Sequence, residues 1–255
     1  MERGLTVEQV AERLLCSPSK VSRMETGHRT ATLRDVRDLS EIYGITDQAG
    51  RERLMTLARE ARQQAWWQSY GLQYSDYVGL EAEAVSVSDF QSSVVPGLLQ
   101  TADYARANHE GTMPRLSPDE IERLIEAKLT RQRLLSKPAP PAFATVLDEA
   151  VLHRLVGGPA VMRAQLDRLV EAASHPNITI QVIPFTVGAH PGMESNFNIL
   201  ELRDTPGIVF VEGLIGSHYL QKPEELDWYR SVFDRLRTLA LGPKDTIDLI
   251  ARMRA

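Results

Sequence analysis

At 255 residues, with 43% apolar residues and a formal net charge of −5, the chain can hold a small domain plus a larger one with a substantial core. The absence of a signal peptide or a long apolar run predicts a cytoplasmic protein that neither leaves the cell nor spans a membrane. A single cysteine, Cys16, excludes an internal disulfide framework, and the mild negative charge opposes a whole-surface grip on nucleic acid but not a local one.

Residues 6 to 25 have the periodicity of two short helices separated by a tight turn. Thr6 can cap the first helix, with Gln9 as reciprocal capping partner, and Val7, Val10, Ala11 and Leu14 share one face. Cys16 fills the junction. Ser17 can cap the second helix, and Pro18 sits in its first turn, where a missing N–H is harmless. Val21 and Met24 give this helix a buried side, which leaves Ser19, Lys20, Ser22 and Arg23 on the outside. Such a face, small, polar and basic, suits the DNA major groove. Ser19 and Arg23 are the candidate base readers. Ser17, Thr26 and Arg29 are candidate phosphate contacts, and Lys20 fits phosphate as easily as base. Gly27 can serve as the C-terminal cap of this helix.

This segment resembles the helix-turn-helix of the Xre/Cro-type repressor-like family. The resemblance rests on T-x-E-Q-x-A-E-R-L, on S-P-S-K-V-S-R-M-E-T-G and on the following L-R-D-V-R-D-L-S-E-I-Y-G. It implies an all-helical DNA-binding domain and double-stranded DNA as partner. It also implies a further helix ahead of Gly4, where only Met1, Glu2 and Arg3 stand, so the first helix is expected to be missing.

Leu33, Val36, Leu39, Ser40 and Tyr43 continue at helical spacing, and Gly44 ends that helix. Thr46 or Asp47 can cap another through Leu54, Leu57 and Ala58 towards Ala61. The first domain is therefore placed at 1–62 and the second at 63–255.

Trp66, Trp67, Tyr70, Tyr74 and Tyr77 follow within a dozen residues. So much aromatic area reads as a packed interdomain junction, with a pocket for an apolar effector as the alternative. The stretch LEAEAVSVSDFQ alternates in part like a strand yet permits helix. Pro96-Gly97 makes a turn before a helix through Tyr104 and Ala105. A charged helix is predicted over about 118 to 136, with Ile121, Leu124, Ile125, Leu129 and Leu134 on its apolar side. PAFATVLDEA can give a strand and a cap at Asp148, then a helix through Leu152 and Leu155. Another helical stripe contains Val161, Leu166, Leu169 and Val170.

After His175-Pro176 the period becomes two, which predicts a strand from Ile178 to Pro184. Residues 196 to 202 and 207 to 211 are predicted as a hairpin. The intervening Gly188-Ala189-His190-Pro191-Gly192 reads as plain connection or a lid, and His190 is the histidine placed first for ligand contact. A long helix over about 223 to 240 has Trp228, Phe233, Leu236 and Leu239 as burial candidates, and a short helix starts near Pro243.

The run of WW-x-x-Y, V-P-G-L-L-Q-T-x-x-Y-A-R-A, L-D-E-A-x-L-x-R and N-I-T-I-Q-V-I-P-F resembles a domain found behind helix-turn-helix modules in actinomycete antitoxin-like regulators. The resemblance implies a sensor or partner-binding role and a small partner protein.

Catalytic signals are absent. The six histidines are scattered with no His-x-x-x-His pair, so no metal site is predicted. Neither a nucleophile elbow nor a phosphate-binding glycine loop occurs. Asp148-Glu149 and Glu224-Glu225 are neighbours on helices, which point apart, and read as helix N-terminal charges. The expected protein is a small all-α helix-turn-helix domain followed by a mixed α/β domain. Its expected function is sequence-specific, non-enzymatic transcriptional regulation without cofactors, as a homodimer reading palindromic half-sites and answering to a small-molecule effector or a partner. An antitoxin-like protein-binding module, and a ligand-binding or enzymatic domain with a vestigial N-terminus, are the alternatives.

Overall fold

The computed structural model describes residues 4–26, 29–60, 67, 70, 75–203, 205–213 and 216–254. The chain divides into two compact units, Met1–Trp66 and Trp67–Ala255. The first is all-helical and the second is a larger mixed α/β domain around a six-stranded sheet.

In the first unit α1 (Val7–Arg13) opens with the expected capping box between Thr6 and Gln9. α2 (Pro18–Glu25) starts at the Ser17 cap, with Pro18 in the first turn. α3 (Leu33–Ile42) is capped by Thr32 and Asp35 and stops at Gly44, whose positive φ of 63° suits glycine. α4 (Gln48–Glu60) begins where the Asp47 carboxylate accepts the Gly50 N–H at 2.6 Å. Gly27 and Ala61 lie outside the described residues.

The core here is small. Val10, Ala11 and Val21 form the buried cluster, with Leu5, Val7, Leu14, Met24, Leu39 and Ile42 packed partly around it. Leu57 points outward instead, 51% exposed.

In the second unit α5 (Ser75–Glu83) leads into β1 (Ser86–Gln91), so the ambiguous stretch at 80 to 91 is helix first and strand second. A 3₁₀ turn at Gly97–Leu99 precedes α6 (Ala102–Thr112). α7 (Pro118–Gln132) has a full capping box from Ser117 and Glu120 and tightens to a 3₁₀ turn at Arg133–Ser136. β2 (Ala142–Asp148), a single turn of helix α8 (Ala150–His153), α9 (Pro159–Ala172) and β3 (Ile178–Ile183) follow. β4 (Phe197–Glu201) and β5 (Ile208–Glu212) form the predicted hairpin. β6 (Ser217–Leu220) is an addition that periodicity did not predict. α10 (Pro223–Leu239) and α11 (Pro243–Met253) close the chain.

The strand order is β3-β2-β1-β4-β5-β6. β1, β2 and β3 run parallel, as helical crossovers require, and β4 to β6 add as an antiparallel meander. One sheet face carries Phe90, Val146, Ile183, Phe197, Ile199 and Val209 and packs against Leu226, Phe233 and Leu236 of α10. The outer edge of β3 is closed by the turn into α11: the Val182 N–H donates to Thr246 Oγ1 at 3.1 Å, and its carbonyl accepts the Leu241 N–H at 2.8 Å.

In the second unit three more apolar positions differ from expectation. Leu129 is 41% exposed, because α7 turns Lys128 inward in its place, where the ammonium donates to Gln100 Oε1 at 2.6 Å. Leu155 and Trp228 are also exposed, at 60% and 66%. Leu155 falls beyond the end of α8, and α10 is anchored through Leu226, Phe233 and Leu236 instead.

Candidate nucleic-acid interface

The turn between α1 and α2 is a Schellman-type cap. The Cys16 N–H reaches back to the Ala11 carbonyl at 3.0 Å, and the Leu15 N–H to that of Glu12 at 3.2 Å. The residue at the left-handed position is Leu15, with φ 52°, and its side chain is 91% exposed.

α2 is held by its inner face and at both ends. Val21 is fully buried at its centre. Near its start the Lys20 ammonium lies 2.6 Å from Asp35 Oδ1, while Asp35 Oδ2 accepts the N–H and hydroxyl of Thr32 at 2.9 and 2.7 Å. Burial pushes the Asp35 carboxyl up, but Lys20 and the Thr32 donors outweigh it and bring it down to about 2. At the other end the Tyr43 hydroxyl donates to Glu25 Oε1, and burial followed by the Glu25 charge pushes that phenol up to about 12.

What remains outside is Ser19, Ser22 and Arg23, all exposed. Arg23 Nε donates to the Ser19 carbonyl at 3.3 Å, which lays the side chain along the helix and leaves the two-pronged end of the guanidinium outward. Ser17 spends one lone pair accepting the Lys20 N–H, and its hydroxyl hydrogen can still meet a phosphate. The Thr26 hydroxyl turns back onto the Ser22 carbonyl at 2.7 Å. Arg29 is exposed, its N–H on the Arg23 carbonyl at 2.9 Å. Lys20 differs from the expectation of a loose phosphate-binding cation, since its ammonium is committed to Asp35. Sequence reasoning did not single out Asp35 or Glu25. The Thr32-x-x-Asp35 capping pattern was visible, but its link to Lys20 was not.

The aromatic and histidine candidates of the second unit separate. Trp66 and Tyr74 lie outside the described residues. The Trp67 ring packs against Gly79, and Tyr70 lines a cavity. Tyr77 is interior: its hydroxyl donates to Glu81 at 2.8 Å, its ring meets Phe210, and Arg131 lies 5.3 Å over it while pairing with Glu81. His190 is 9% exposed, with Nε2 3.1 Å from Asp148 Oδ2 and its ring edge-on to Phe90. The expected ligand-facing histidine is thus packed within the fold. Asp148 also accepts the Ala150 N–H, and Glu149 accepts that of Phe185.

Asp89, Thr145 and Asn198 form a buried polar network on the sheet, in which burial pushes the Asp89 carboxyl up to about 6. Each member has its partner within the network. Among the described residues no group of three or more His, Cys, Asp or Glu is placed to hold a metal, and no helix is long and apolar enough to cross a membrane.

Residues 74–252 match the family model described as Domain of unknown function (DUF5753), which spans well over half of the chain. The chain belongs to the DUF5753 family. Ahead of that domain, residues 1–54 of this DUF5753 protein match a family model described as Helix-turn-helix domain, and these residues contain α1, α2 and α3. No curated protein and no solved structure matches the chain.

Proposed function

We propose that this protein is a sequence-specific DNA-binding transcriptional regulator of the Xre/Cro type that performs no chemistry of its own. The observation that carries this reading is the mounting of α2. Its inner face is buried through Val21, its ends are tied to α3 by Lys20–Asp35 and Glu25–Tyr43, and Ser19, Ser22 and Arg23 stand outward. A helix fixed in this way presents base-reading side chains with little entropy left to lose on binding. One eight-residue helix reads only a few base pairs, so a cytoplasmic homodimer on paired half-sites completes the reading. The second domain sets that geometry or receives a signal.

Selection of duplexes from a random pool by the purified full-length chain tests the proposal. Enrichment of a short motif, repeated about one helical turn away, is expected. A pool that stays random after selection contradicts it.

The antitoxin-like reading, with a small protein as chief partner, is supported by the large apolar side chains Phe185, Met193 and Trp228, each more than half exposed on the second unit. Tight binding of a partner protein by a chain with no affinity for any enriched duplex would favour that reading over the first.

A further inference from the structure

The second unit contains a cavity of about 420 Å³ between α5, the α6–α7 pair and the β5–β6 edge of the sheet. That volume lies within the range of small-molecule sites. The DNA-binding reading makes no use of it.

His109, on α6, contributes to the wall. It is 4% exposed, and neither ring nitrogen has a hydrogen-bond partner among the described residues. A buried imidazole left in this state is costly. Burial, followed by the nearby Lys128 charge, brings its pKa down to about 4. The ring is therefore neutral near pH 7 and offers one donor and one acceptor.

The opposite wall is acidic. Asp76 of α5 and Glu212 of β5 are exposed, and no salt bridge involves either among the described residues. Both lie close enough to Tyr219 of β6 for their charges to act on its hydroxyl, which burial, then Asp76, then Glu212 push up. Two more charged groups line the cavity: Glu120, which accepts from Ser117 in the α7 capping box, and Arg123, whose Nε donates to the Asp119 carbonyl and whose charge acts on Glu120. Met113, Leu116 and Leu124 supply the apolar lining.

We propose that this cavity binds a small organic amine. Its ammonium sits between Asp76 and Glu212 beside the Tyr219 ring, its apolar body lies on Met113 and Leu124, and a polar atom bonds His109. Two carboxylates next to an aromatic ring favour a cation over a neutral or anionic molecule of the same shape. The unsatisfied imidazole supplies an independent reason for a polar ligand.

The test uses the full-length chain without DNA, so its outcome is separate from that of the DNA-binding reading. Tryptamine, phenethylamine and tyramine are titrated by calorimetry, each against its uncharged ethyl analogue and its propionate. The chain with Asp76→Asn and Glu212→Gln is titrated in parallel. Both substituted positions are exposed, and unchanged thermal unfolding verifies the fold of the variant. At least one amine is expected to bind more tightly than both of its analogues, to shift the His109 ring-nitrogen resonances, and to lose about fivefold or more in the double variant. The proposal is overturned if no amine binds at millimolar concentration, if the uncharged or anionic analogues bind as well, or if the double variant binds unchanged.

Discussion

The Lys20 ammonium sits 2.6 Å from Asp35 Oδ1, joining the second helix of the helix-turn-helix to the cap of the third. One carboxylate thus serves two purposes. It completes the Thr32 capping box and fixes the rotation of the helix that carries Ser19 and Arg23.

Asp35 makes the first unit acid-sensitive in a defined window. Its carboxyl is held at about 2 against an ordinary 3.8, so the ionised form is favoured by folding. The stabilisation is complete above about pH 4 and is lost as pH falls towards 2, with on the order of 2 kcal/mol at stake. Asp35→Asn should lower stability by about that amount at pH 7 and flatten the profile below pH 4. Amide exchange across α1 to α3 as a function of pH measures this, and identical profiles for the two proteins would refute it.

Leu15 occupies a left-handed position that glycine fills without a Cβ clash, and its side chain is 91% exposed. Leu15→Gly should therefore stabilise the first unit by roughly 0.5–1 kcal/mol, the relief of the left-handed strain less the added freedom of glycine in the unfolded chain. Denaturant unfolding of the full chain, followed at first-unit amides, checks this. A loss of stability would mean that the leucine makes contacts which its exposure does not reveal.

Gly192 lies directly over the Phe90 ring, and an added Cβ would stand 2.3 Å from it. Phe90 is fully buried in the main core and cannot retreat. Gly192→Ala should cost about 1–3 kcal/mol in the second unit, as overpacking does. His190 and Gly192 are buried while Gly188, Ala189 and Pro191 are exposed, so limited proteolysis should spare the bonds flanking Gly192. Rapid cleavage there, with a neutral Gly192→Ala, would mark a lid instead.

Asp89 provides the opposite pH dependence. Burial raises its carboxyl to about 6, so folding favours the protonated form. Its contribution improves as pH falls from about 6 to about 4 and is withdrawn as pH rises through 6. A carbon-13 carboxyl titration of Asp89 should show a midpoint near 6. A midpoint below 4 would mean that Thr145, Asn198 and Gln91 overcome burial.

Elements set by neighbouring residues were readable in the sequence. The Thr6–Gln9 box, the Ser17-Pro18 start, the Ser117 cap, the alternating run at 178 to 183 and the hairpin after it all rest on short-range chemistry. The misjudged features depend on partners distant in sequence. Leu129 has helical spacing from Ile125, yet Lys128 faces inward because Gln100, on another segment, accepts a hydrogen bond from its ammonium. β6 has little apolar signal of its own and forms because β5 offers an open edge. The same holds for the sites. The outward face of α2 was legible from spacing, whereas the capture of Lys20 by Asp35 and the unpartnered His109 in its cavity arise only when remote segments meet.

The central claim is that α2 reads base pairs, and Arg23 carries most of it. The direct measurement compares wild type and Arg23→Ala on a selected duplex and on its scrambled counterpart, at one fixed salt concentration. The account predicts a loss of about 1–3 kcal/mol on the selected duplex and a much smaller change on the scrambled one. Equal losses on both duplexes would contradict it, reducing Arg23 to a backbone contact and leaving α2 without a role in sequence recognition.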